Sequence, residues 1–226
     1  MTSGISKVSI TLGLTLASAI WPNPSRAAPE TAPATATNAQ ALVAGLKRAA
    51  PARTRFSEVR FSGLLERPLV VHGELEYDGP GKLSRTVDAP YVEHMTIEND
   101  QASVQRGDRP VRKFPLSQAP ELEGFLRGFA ALLGGDAELL QRDFVLLASG
   151  TQGAWHLKLT PRDERLAKRI AALEVDGAGT SARCFHTIEA DGDVNMMLVE
   201  TLADTKLPTR PTPPMIDALC RGVPAR

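Results

Sequence analysis

From Arg53 to Leu202 the apolar residues of this 226-residue chain recur mostly at every second position, with one helical interruption. The clearest stretch is Leu69 to Tyr77. Leu69, Val71, Gly73, Leu75 and Tyr77 alternate there with Val70, His72, Glu74 and Glu76. That alternation is a strand with one dry face and one wet face. Asp78-Gly79-Pro80-Gly81 follows as a turn. Tyr91, Met95 and Ile97 then alternate with His94, Thr96 and Glu98, and Asn99-Asp100 turns the chain into Ala102 to Gln105. Val111 to Leu116 is a further short strand. Strands joined this closely form an antiparallel meander.

Residues 118–133 break the period. Leu122, Phe125, Leu126, Phe129, Leu132 and Leu133 fall at helical spacing, with Pro120 in the first turn and Gly134-Gly135 at the stop. Gly124 and Gly128 inside the helix cost roughly 1 kcal/mol each against Ala, so contacts must hold it more than propensity. A second short helix runs from Asp136 to Arg142, and an earlier one is capped by Asn38, carries Leu42, Leu46 and Ala49, and ends at Pro51.

Strands then resume. Phe144 to Ala148 is apolar on both faces, Trp155, Leu157 and Leu159 alternate with polar residues, and Leu173 and Val175 follow a polar link, Pro161 to Lys168. Cys184 to Glu189 and Val194 to Leu202 form a hairpin through Asp191-Gly192-Asp193. Its second strand carries Met196, Met197, Leu198 and Val199, again apolar on both faces. A Pro-rich tail from Leu207 ends in the apolar segment Met215 to Cys220. The expected fold class is mainly β (α+β): about eleven strands in one strongly curved antiparallel sheet, because a sheet that wide curls toward a barrel.

The N-terminus reads as an export signal. Lys7 precedes an uncharged, mostly apolar run from Val8 to Trp21, too short for a membrane span of about 20 residues. Ser25-Arg26-Ala27 offers small residues for cleavage after Ala27. The expected organisation is a signal peptide at 1–27, a flexible Ala/Pro/Thr segment at 28–37, one domain over 38–206 and a packed or tethered tail at 207–226. Lys plus Arg balance Asp plus Glu, and losing Lys7 and Arg26 leaves the mature chain two charges on the acidic side. Such a balance argues against nucleic acid and against polybasic docking on lipid. The expected location is the periplasm.

An exported chain meets an oxidising compartment, so Cys184 and Cys220 are either a disulfide, worth about 2–4 kcal/mol, or two separate thiols. Cys184-x-His186 is too little for a metal site. No Gly-x-Ser-x-Gly elbow and no phosphate loop occurs, and His72, His94, His156 and His186 read as surface or internally satisfied histidines. Asp191-Gly192-Asp193 is better explained as a turn than as a calcium loop. The reading is of a chain that is no enzyme and carries no cofactor.

The ordered set resembles the periplasmic outer-membrane lipoprotein carrier family, LolA-like. The residues that carry the resemblance are Arg55-Phe56-Ser57-Glu58-Val59-Arg60, Leu64-Leu65-Glu66-Arg67-Pro68-Leu69, Gly73-Glu74-Leu75-Glu76-Tyr77 and Pro80-Gly81-Lys82-Leu83. Later come Leu132-Leu133-Gly134-Gly135-Asp136, Trp155-His156-Leu157-Lys158-Leu159-Thr160-Pro161 and Gly192-Asp193 before Met196. The likeness spans about residues 40–205 and is similar to a divergent branch met with aryl-polyene and lipid export pathways. The main carriers have Arg-Pro with a Trp five residues after that Pro, the Arg helping to hold a lid. Here Gly79-Pro80 stands at that motif and Arg85 at the Trp position. Arg85 is then either a replacement for the lid arginine or an ordinary exposed strand residue.

The resemblance implies a half-open barrel whose concave face binds acyl chains under a helical lid. The expected lining is Leu122, Phe125, Leu126 and Phe129 from the helix, facing Leu75, Tyr77, Met95 and Ile97 from the first strands. Leu157, Leu159, Met196 and Leu198 complete it from the later ones. The same residues would equally fill a dry core. The implied function is a monomeric carrier of an acylated lipoprotein or lipid cargo, working between an inner-membrane exporter and an outer-membrane acceptor. The alternative is a lipid-sensing module of an envelope pathway that passes nothing on.

Overall fold

Each strand pairs with its neighbour in sequence except at one place, where the first strand meets the last. The computed structural model describes residues 38–79 and 81–222. The expected signal peptide and the 28–37 segment lie outside the described residues. The first half runs α1 (Ala39–Gly45), β1 (Ala52–Phe61), β2 (Leu69–Gly79), β3 (Lys82–Ala89), β4 (Glu93–Glu98), β5 (Gln101–Arg106) and β6 (Arg112–Pro115). Two helices follow, α2 (Pro120–Gly134) and α3 (Ala137–Asp143). The second half runs β7 (Phe144–Thr151), β8 (Ala154–Pro161), α4 (Glu164–Ala167), β9 (Ile170–Ala178), β10 (Ser181–Glu189), β11 (Val194–Val199) and α5 (Pro213–Arg221). All eleven strands form one antiparallel sheet in the order β6-β5-β4-β3-β2-β1-β11-β10-β9-β8-β7. The β1–β11 pairing closes the chain's two meanders into a single surface, with Phe56 opposite Val199 and Glu58 opposite Met197.

The sheet is curved and open, and its two faces are covered differently. On the concave face α1, α2, α3 and α4 pack over β7, β8 and β9. Leu42, Val43 and Leu140 from the helices meet Phe144, Leu157 and Leu159 there, all buried. Asn38 starts α1 by accepting from the backbone of Gln40 and Ala41, and Gly135 in a left-handed conformation ends α2. On the convex face α5 covers the middle of the sheet. Ile216 and Cys220 pack on Val59, Cys184, Met196 and Leu198, and the Cys184 and Cys220 sulfurs are bonded at 2.02 Å. The Pro-rich tail is therefore docked on the domain through a helix.

Gly128 has a different part from the one its propensity suggests. A Cβ there would come 2.9 Å from Phe144 Cε2, so the missing side chain lets α2 lie close on β7. The glycine serves packing at this point, not mobility.

Candidate functional site

Among the described residues the helical cover is denser over β7–β9 than over β1–β4, and two cavities border the concave face. The first, of about 430 Å³, lies between the C-terminal half of α2 and β1, β2 and β10. Tyr77, Leu132, Leu133 and Val199 give it apolar walls. The second, of about 700 Å³, opens toward the other rim, where Met95, Leu126, Ile170 and Met197 line it. Leu75, Leu83, Phe129 and Phe185 border both. The Phe129 ring meets Phe185 edge to face, 5.0 Å between centroids, and forms the partition. Both volumes fall in the range of ordinary small-molecule pockets.

The expected lining residues divide into groups. Leu75, Tyr77, Met95, Leu126 and Phe129 border the cavities. Ile97 sits on the same face but is buried among Leu83, Ala102 and Leu116, behind the cavity wall. Leu157 and Leu159 are fully buried beneath the helices, so they belong to the filled half of the interior and line no cavity. Met196 and Leu198 point to the convex face under α5, contrary to the expected placement. The reason is parity. Met196, Met197, Leu198 and Val199 are all apolar, so nothing in the sequence says which pair faces in. The pairing does, since Met197 stands between Phe185 and Glu58. Leu122 and Phe125 fall within α2, but their side chains lie outside the described residues.

Leu83, Leu132, Leu133, Ile170, Phe185, Met197 and Val199 are among the apolar wall residues that sequence reasoning missed. It also missed a charged group in the second cavity's floor. Arg85 is no exposed strand residue, for its side chain is only 11% exposed. Arg85 Nη2 donates to Glu58 Oε2 at 2.6 Å, and Nη1 lies 3.6 Å from Glu93 Oε1. The guanidinium also stacks on the Phe56 ring, 4.8 Å from its centroid. Gly73 lies against this stack, where a Cβ would run into the Thr86 carbonyl oxygen and also come 2.9 Å from Phe56 Cζ. Arg60 Nε donates to the other Glu58 oxygen at 2.6 Å, and Arg106 holds Glu93 from outside at 2.8 Å. Burial works against the Arg60 charge, yet Glu58 raises its pKa.

A second polar cluster lies on the convex face beside the disulfide. His156 Nδ1 is 3.0 Å from Asp176 Oδ1, and His186 Nε2 is 3.2 Å from Asp176 Oδ2. His186 Nδ1 faces Asp217 of α5 at 3.7 Å. Burial of Asp176 works against its charge, but the two histidines outweigh it and hold the carboxyl well below its usual range. His156 is thus hydrogen-bonded to a carboxylate that cross-strand pairing supplies, whereas His186 Nε2 and Asp176 Oδ2 face each other, buried, without hydrogen-bond geometry. Cys184, His186 and Cys220 lie close together, but the two sulfurs are bonded to each other and not available to a metal.

The sequence model of the "outer membrane lipoprotein carrier protein LolA-like" family matches residues 31–223. The chain belongs to the LolA-like family. Among curated proteins none matches it significantly. Solved structures of similar fold include a LolA superfamily protein from Nitrosomonas europaea, with 12% identity, 76% of this chain and 96% of that chain covered, and a TM-score of 0.41. A DUF1329 family protein from Desulfovibrio piger gives 10% identity, 75% and 93% coverage and a TM-score of 0.39. The MucA/MucB complex of Pseudomonas aeruginosa gives 13% identity, 79% and 60% coverage and a TM-score of 0.36. Likenesses this distant say nothing about function. Among the described residues of the LolA-like chain, no helix is long and apolar enough to cross a membrane.

Proposed function

We propose that this LolA-like chain is a periplasmic carrier that holds the acyl chains of a lipoprotein or lipid cargo and delivers them toward the outer membrane. The reading rests on one observation: a concave face that carries, among the described residues, two apolar-walled cavities that meet at Phe129 and Phe185. Each methylene moved there from water gains about 0.8 kcal/mol, so a chain of modest length is held without directional bonds. Aliphatic walls with Met95 and Met197 adapt to chain shape. The cargo would arrive from an inner-membrane exporter and leave to an outer-membrane acceptor, with the carrier acting as a monomer and performing no reaction.

Native mass spectrometry of the protein purified from periplasm tests this reading. Co-purified acylated cargo supports it, and a protein that never retains lipid overturns it. Transfer to outer-membrane vesicles is the second arm. Retention without transfer would make the chain a lipid-sensing module instead.

A further inference from the structure

The floor of the second cavity is a poor surface for plain hydrocarbon. Glu58, Arg85 and Glu93 have side chains only 7%, 11% and 15% exposed, and all three border that cavity. A hydrocarbon laid on them would remove their remaining water and give nothing back. The first cavity also has charged lining, Arg48, Arg53, Arg55, Glu200 and Asp204, but these side chains are 30–79% exposed, and at the partition Leu75, Leu83, Phe129 and Phe185 are joined by Tyr77 and Val199.

The hydrogen-bonding balance of the charged floor is one-sided. Both oxygens of Glu58 are taken, Oε1 by Arg60 and Oε2 by Arg85. Glu93 Oε2 is held by Arg106, and its Oε1 faces Arg85. The carboxylates at the rim are engaged as well, with Glu189 accepting from Asn195 and Asp191 from the backbone of Asp193. On the donor side the account is open. Arg60 uses only Nε, and its Nη1 and Nη2 have no hydrogen-bond partner among the described residues. Arg85 brings only Nη2 within hydrogen-bond distance of an acceptor. Lys168 and Arg169 add two more cations at the same mouth. The charged lining therefore keeps unengaged N–H donors while each of its carboxylates already accepts, and Thr187 and Asn195 add neutral polar groups. Arg85 is also pre-positioned between Phe56 and Glu58, which lowers the ordering cost of binding.

We propose that the second cavity is a head-group subsite for an anionic amphiphile, its carboxylate or phosphate on Arg60 and Arg85 and its chain lying past Phe129 and Phe185 into the first cavity. The proposal rests on the carrier reading and narrows its cargo to chains bearing an acidic oxygen head. Guanidinium groups match such heads in geometry, and charge-assisted bonds in a half-dry site are stronger than neutral ones.

The test is displacement of Nile red from the full mature chain by palmitic acid, hexadecyl phosphate and hexadecanol, which share one chain and differ in the head. At least one acid should bind about tenfold tighter than the alcohol. The tighter of the two acids identifies the head. Arg60→Gln keeps the Arg85–Glu58 pair, so the fold stays intact. It should weaken that acid about fivefold or more and leave hexadecanol within about twofold. Arg85→Gln should do the same, with thermal unfolding followed in parallel. An alcohol that binds as well as both acids overturns the head-group subsite alone. So does an Arg60→Gln variant that leaves acid binding unchanged or weakens acid and alcohol alike. If none of the three probes binds, the carrier reading falls with it.

Discussion

Phe129 of α2 stands edge to face against Phe185 of β10, and that single contact separates the two cavities of the concave face. Removing one ring should join them. Phe129→Ala is expected to cost about 3 kcal/mol, the low end for a buried Phe, because the site already borders empty space. It should also admit bulkier ligands. Urea unfolding reads the cost, and binding of a branched or aromatic-tailed lipid compared with a straight chain reads the opening.

Gly128→Ala makes an opposite kind of test. Helix propensity alone favours Ala by roughly 1 kcal/mol. The added Cβ would press on the ring of Phe144, which is fully buried and must shift to admit it. The expected net result is destabilisation by about 1–2 kcal/mol, as for other overpacked sites. A raised melting temperature would show α2 to be less firmly seated on β7 than its packing indicates.

The disulfide between Cys184 and Cys220 spans a sequence separation of 36 and ties α5 to the convex face. Reduction, or the pair Cys184→Ala and Cys220→Ala, should lower stability by about 2–4 kcal/mol. The α5 segment should then be cleaved by protease before the sheet unfolds. Limited proteolysis with and without reductant, read by mass spectrometry, locates the first cut.

The stability of the chain should fall as pH rises from about 6.5 upward. The hydrogen bond to Asp176 raises the His156 pKa above its ordinary value of about 6.5, against burial and with help from Glu174, while Arg221 opposes it. A raised folded pKa gives a contribution that is full below the unfolded value and lost as pH passes the folded one. Asp176 has the reverse sign: its contribution persists down into the acid range, because its folded pKa is depressed. The decline should therefore appear from about pH 6.5 upward, and His156→Gln should flatten it. Urea midpoints measured across that range, for both proteins, decide the matter.

Much of this architecture was legible in the sequence because local alternation carries it. Leu69 to Tyr77 falls within strand β2, with the same residues facing in, and the eleven-strand curved sheet follows from such segments. Where alternation lapses, so does the reading. The doubly apolar run Met196 to Val199 could be placed either way, and only pairing with β1 and β10 chooses. Glu58, Arg85 and Glu93 lie on three strands, and no local pattern joins them before the register is known. Two helices had unused signals. Asp163 caps α4, and α5 begins with Pro213 and ends at a left-handed Gly222.

The sheet ends in β6 on one side and β7 on the other, and among the described residues these two strands do not pair. A closed barrel has its bore fixed by strand number and stagger. This one is a cuff with a slit, whose girth can change without breaking a single ladder bond. Chains of differing thickness could be gripped by the same sleeve, the slit taking up the difference.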